Sequence, residues 1–139
     1  MIPKGIGYLI KTINDKIKVK ADTDLNTYGL TLSQSRVLIF LKSKDGQATQ
    51  KEIEEFLEVS HPTVVGIVSR MEQNGHVITW FDPKQQRSKM VRLTPKAQVL
   101  GEELVRMVQE QDAAMLRGLT QEQVTELIKM LRIVYGNLE

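Results

Sequence analysis

At 139 residues the chain suits one compact domain that can bury a real core but cannot hold several independent modules. With 41% hydrophobic and 26% charged residues it is neither polar enough for disorder nor apolar enough for a membrane, and zero cysteines exclude disulfides, thiolate metal sites and a cysteine nucleophile. The net charge is only +2, from 19 Lys and Arg against 17 Asp and Glu, so attraction to a polyanion must come from how the charges are placed.

Met1-Ile2-Pro3-Lys4-Gly5 lacks a basic segment followed by an apolar core, and no apolar run approaches a bilayer span, so a cytoplasmic protein is expected. A first helix is predicted from about Gly5 to Ala21, where Ile6, Leu9, Ile10, Ile13 and Ile17 recur at helical spacing. The turn-prone Asp22-Thr23-Asp24, Asn26 and Gly29 separate it from a second helix starting near Leu32, whose buried residues are Val37, Leu38, Phe40 and Leu41. Asp45-Gly46 ends that helix. Thr49 followed by Glu52 has the form of a capping box and predicts a short helix with an apolar face of Ile53, Phe56 and Leu57. It must stop soon, because Ser60 and Pro62 mark another helix start a few residues on.

This next helix runs to about Asn74, with Val64, Ile67, Val68 and Met71 on one face and Thr63, Val65, Gly66, Ser69, Arg70 and Gln73 elsewhere. Gly75 closes it. Val77 to Phe81 is β-branched and aromatic, Asp82-Pro83 turns the chain, and Lys89 to Leu93 supplies a second strand. Trp80 and Phe81 are expected to pack against the neighbouring helix rather than to stack on a base. Lys84 to Arg92 is basic with no acid inside it, whereas Glu52, Glu54, Glu55 and Glu58 crowd the earlier helix. After Thr94-Pro95 a long helix reaches about Leu116, Gly118 interrupts, and Thr120 caps a last helix. Its stripe of Val124, Leu127, Ile128, Leu131, Val134, Tyr135 and Leu138 has nothing downstream to cover it.

The fold class expected is mainly α with a small β-hairpin wing. Two helices meeting at a tight turn, the second with a polar outer face, and then a basic-tipped hairpin make a winged helix-turn-helix. Reading a duplex requires a rigidly held helix whose outer side enters the major groove, and cations that meet the flanking phosphates. No enzyme is expected: two histidines on separate polar edges and no cysteine supply neither a nucleophile with its base nor a metal site. No cofactor is implied.

The motifs Leu32-Ser33-Gln34-Ser35-Arg36-Val37-Leu38, Val59-Ser60-His61-Pro62-Thr63-Val64-Val65, Asn74-Gly75-His76-Val77, and Asp82-Pro83 through Arg87-Ser88-Lys89 to Leu93-Thr94-Pro95-Lys96-Ala97 together resemble the MarR family of regulators. The resemblance covers nearly the whole chain and implies an obligate-type homodimer built through the N- and C-terminal helices, bound to a pseudo-palindromic double-stranded DNA operator. It further implies repression released by a small aromatic or anionic effector, for which Tyr8, Lys11, Thr12 and Arg36 are candidate lining residues. Residues 30–95 would form the DNA-binding lobe, with 1–28 and 96–139 as dimerisation helices.

Position by position, the resemblance puts the Ser60 to Arg70 helix in the major groove and Arg87 at the wing tip, reaching into the minor groove. His61, Thr63, Val65, Gly66, Ser69 and Arg70 are then groove-facing, and Lys84 and Lys89 meet phosphates. Many members carry an aspartate at the position of Gln85, bracing the wing arginine, and an arginine at the position of Gly66. Those departures leave a winged-helix protein-interaction module as the alternative, since a fold does not dictate a function.

Overall fold

The computed structural model describes residues 4–85 and 88–139, which leaves Met1 to Pro3, Gln86 and Arg87, the residue expected at the wing tip, outside the described residues. In chain order the elements are α1 (Ile6–Asn26), α2 (Leu32–Ser43), β1 (Gln47–Thr49), α3 (Gln50–Leu57), α4 (His61–Gln73), β2 (Val77–Phe81), β3 (Lys89–Leu93), α5 (Pro95–Met115) and α6 (Gln121–Asn137). A single 3-10 turn, Pro83–Gln85, follows β2. The chain divides into two compact units, Met1–Leu104 and Val105–Glu139.

The first unit is built around α2, the most deeply buried helix, with Val37, Leu38 and Leu41 fully covered. Thr31 caps it with a reciprocal Gln34 contact, satisfying two amides that a helix start leaves unpaired. Ile53 of α3, Val64, Val68 and Met71 of α4, and Val77, Val91 and Leu93 of the sheet close the core. Each such side chain removed from water contributes about 1.5–3 kcal/mol, and together they offset the entropy of ordering the segments around them.

The predicted hairpin is the larger part of a three-stranded antiparallel sheet in the order β1-β3-β2. The strand not anticipated, β1, pairs Gln47, Ala48 and Thr49 with Arg92, Val91 and Met90. Three residues are too short to show an alternating pattern, and Thr49 serves both as the last strand residue and as the cap of α3. A second correction concerns α1, which runs on through the expected turn at Asp22-Thr23-Asp24. There Thr23 Oγ1 donates to the Val19 carbonyl, Lys20 pairs with Asp24, and the burial of Leu25 holds the final turn in place.

The second unit comprises the later part of α5 and α6, joined through Gly118 in the left-handed region at φ 92°. Thr120 and Gln123 form a capping box at the start of α6. Ile128, Leu131, Val134 and Leu138 of its apolar stripe are exposed, while Val124 and Leu127 are half-buried. Among the described residues no helix is long and apolar enough to cross a membrane.

Candidate nucleic-acid interface

Helices α3 and α4 are joined by only Glu58, Val59 and Ser60. The sequence achieves this by placing a stop signal against a start signal. Glu58 takes the left-handed conformation at φ 55°, rarely adopted by residues other than glycine, and its amide donates to the Glu54 carbonyl at 2.9 Å. Ser60 then caps α4, accepting from the Thr63 amide and lying 2.8 Å from the Thr63 hydroxyl. The predicted core face of Val64, Ile67, Val68 and Met71 is buried, which turns His61, Thr63, Val65, Ser69 and Arg70 outward. Gly66 is half-buried, and a Cβ there would meet no other part of the described structure within 4 Å beyond its own helix backbone and chain neighbours, so no packing among the described residues requires a glycine.

The wing strands pair from Val77 with Leu93 to Phe81 with Lys89. They are bound to α4 by Glu72, whose Oε2 accepts from both the amide and the hydroxyl of Thr79, at 3.0 and 2.6 Å. At the far end the Lys51 amide of α3 donates to Ser88 Oγ at 3.4 Å. Asp82 Oδ1 accepts from the Lys84 amide, the local turn that an aspartate before proline favours. The expectation that Trp80 and Phe81 are core fails for Phe81, which is 64% exposed, while Trp80 is half-buried. Both rings lie beneath cations instead: Lys89 Nζ is 5.4 Å from the Phe81 centroid, and the Arg92 guanidinium is 5.2 Å from Trp80. Phe56, also expected in the core, is 51% exposed and stacks on Phe40 with centroids 4.5 Å apart.

An open cleft of about 870 Å³ lies where α3, α4 and the wing strands meet, lined by Gln50, Lys51, Glu54, His61, Val65, Phe81, Ser88 and Lys89. It brings together three of the sequence candidates, His61, Val65 and Lys89. Thr63, Ser69, Arg70 and Lys84 are exposed but are not among its lining residues, and Ser60 is engaged as the helix cap. The cleft also holds residues that the sequence alone does not single out. Glu54 hydrogen-bonds to His61 Nδ1 and places a carboxylate beside the start of α4. Lys51 adds a cation from α3. The signal for Lys51 is its place off the Ile53 face, whereas the Glu54 to His61 contact depends on how the two helices cross.

Residues 28–88 match the family model described as MarR family. The chain is 36% identical over 132 residues to the uncharacterized HTH-type transcriptional regulator YwoH of Bacillus subtilis, covering 88% of this chain and 93% of that protein. The chain belongs to the MarR family. A second relative, the HTH-type transcriptional repressor IacR of Pseudomonas putida, is 28% identical over 95% of this chain and 78% of its own length. Among solved structures, MepR of S. aureus in its DNA complex superposes with a TM-score of 0.87 at 25% identity, covering 98% of each chain. The shared architecture is the mainly helical, winged helix-turn-helix fold of MarR regulators.

This MarR-family chain has a second, smaller cleft of about 290 Å³, lined by Tyr28, His76, Lys96, Val99, Leu100 and Glu103. His76 is only 5% exposed, and its Nδ1 has no hydrogen-bond partner among the described residues. Burial first, and the nearby Lys96 charge second, hold its pKa below the usual 6.5. The native state therefore binds this proton less readily than the unfolded chain does. The contribution of His76 to stability is complete above pH 6.5 and is lost as pH falls from there towards the lower folded value. Urea melts between about pH 7 and about pH 5 are expected to show stability falling, with His76 supplying at most about 1.4 kcal/mol per pH unit. His76→Gln should flatten that profile, and an equally steep profile in the variant would remove His76 as its source.

Among the candidates for an effector site, Lys11 pairs with Asp15 at 2.7 Å and the Thr12 hydroxyl donates to the Leu9 carbonyl at 3.1 Å. Both are contacts along the surface of α1. Tyr8 and Arg36 are exposed.

Proposed function

We propose that this MarR-family chain is a sequence-specific, double-stranded-DNA-binding transcriptional regulator that acts in the cytoplasm as a homodimer on a pseudo-palindromic operator. The observation that carries the reading is the outward face of α4, which lies open beside a wing that carries cations, with its opposite face locked in the core. A helix presented in this way fits a major groove about 12 Å wide. In this reading Ser60, His61, Thr63, Val65, Gly66, Ser69 and Arg70 face the groove, Lys84 and Lys89 meet phosphates, and Arg87 enters the adjacent minor groove. The DNA-binding lobe is assigned to residues 30–95, and 1–28 and 96–139 are assigned to dimerisation. The exposed apolar residues Ile6, Leu9, Ile10 and Ile13 on α1 and Ile128, Leu131 and Leu138 on α6 support that assignment, because so much apolar surface on each helix belongs in an interface.

The finer part of the reading is repression released by a small effector. The His76 cleft supports it: Lys96 supplies a cation, Val99 and Leu100 supply apolar walls, and the unpaired His76 Nδ1 offers a hydrogen-bonding atom to a small aromatic or anionic molecule. No catalysis is assigned. The decisive experiment is selection of bound sequences from random duplexes by the purified full chain. Enrichment of an inverted repeat with half-sites about one helical turn apart is the expected result. Recovery of unenriched sequence would refute it. A protein-docking role is the second reading, favoured by the Glu54 carboxylate and the exposed Phe81 in the same cleft.

A further inference from the structure

On the outward face of α4, Val65 is out of place. It is 42% exposed, the one large apolar side chain of that helix that remains so. A β-branched residue on a solvated helix face costs helix propensity through its restricted rotamers and leaves two methyl groups in water. Its neighbours in the cleft are charged or polar except for Phe81 across the opening. Gly66 follows it, with open space where a side chain would stand. The described residues leave 42% of Val65 open to solvent, and the missing side chain beside it allows a closer approach to whatever meets that surface.

The edges of base pairs in the major groove offer hydrogen-bonding atoms almost everywhere and a single apolar feature, the C5-methyl of thymine. We infer that Val65 is a specificity-determining residue that reads a thymine methyl group, with Gly66 letting the α4 backbone settle close enough for the contact. The inference rests on the reading that α4 enters the major groove, and it goes further by naming the base class and the atom recognised. It assigns each half-site one thymine beneath Val65. Lys89 and the Nε2 of His61, whose Nδ1 is engaged by Glu54, remain on the same cleft for hydrogen bonds to base edges or phosphates.

The test uses the full chain and the duplex recovered by selection, with each thymine of the half-site replaced in turn by deoxyuridine. That exchange deletes only the methyl group and preserves base pairing. At one symmetric position, replacement is expected to weaken binding about fourfold for one half-site and about fifteenfold for both, the effect of removing one buried methyl group from each. Val65→Ala should bind the thymine duplex with the same weakening and should no longer distinguish thymine from deoxyuridine at that position, while Val65→Ile should retain the distinction. Alanine is the better helix former, so an unchanged circular dichroism spectrum is expected of Val65→Ala. A selected duplex whose every thymine tolerates deoxyuridine overturns the inference and leaves DNA binding standing. So does a Val65→Ala protein that is as sensitive to the exchange as the parent. Failure to bind any duplex overturns both.

Discussion

Binding of the selected duplex is expected to weaken about 10⁴-fold as monovalent salt is raised from about 50 to about 200 mM, with a log-linear slope of about −7. The figure follows from Arg70, Lys84, Arg87 and Lys89 each displacing a condensed counterion in both protomers, about eight charges in all. The whole-chain field cannot substitute for them, because a net charge of +2 is nearly neutral. Arg87→Ala should reduce the steepness by about one unit for each phosphate charge no longer neutralised and weaken binding across all sequences if it meets phosphate, or chiefly at A·T-rich flanks if it lies in the minor groove. Fluorescence titration across a series of salt concentrations measures the slope. A nearly flat dependence would remove the phosphate contacts assigned to these four side chains, and an Arg87→Ala protein with parental affinity would remove the wing from the contact.

The second large effect concerns α6. Ile128 and Leu131, 45% and 48% exposed and one turn apart, lie on the stripe assigned to the dimer. Introducing glutamate at both, I128E with L131E, places charges where an apolar partner face is expected, and burying them unpaired is prohibitive. Sedimentation should report a fall from dimer to monomer mass. Operator affinity should then drop by about 10²–10⁴, because the second half-site no longer benefits from the effective concentration that a linked partner supplies. A double variant of unchanged mass and affinity would place the interface elsewhere. One that sediments as a monomer with parental affinity would separate dimerisation from binding.

Legibility from sequence depends on whether a feature is local. The Thr49 and Glu52 capping box, the Ser60 cap and the Thr120 cap are contacts within three residues, and each forms as its residues require. The buried face of α4 follows from a period of 3.6, so its outer face is legible by subtraction. Strand β1 is not, since its stability comes from pairing with residues more than forty positions later rather than from its own pattern. The end of α1 escapes the pattern because aspartate and threonine favour turns in isolation, yet here they bond along the helix and Leu25 is drawn into the core. The candidate site divides the same way. His61 and Val65 are visible as outward positions on one helix, whereas Glu54 beside His61 and Phe81 across from Val65 require three elements to be placed against one another.

The double acceptance by Glu72 carries a consequence for how an operator can vary. Since that carboxylate ties Thr79 of the wing to the last turn of the recognition helix through two hydrogen bonds, the two parts behave as a single template of constant spacing. If α4 reads bases and the wing grips the flank, as proposed, the stretch between them within one half-site has to keep its length, and an insertion there should weaken binding.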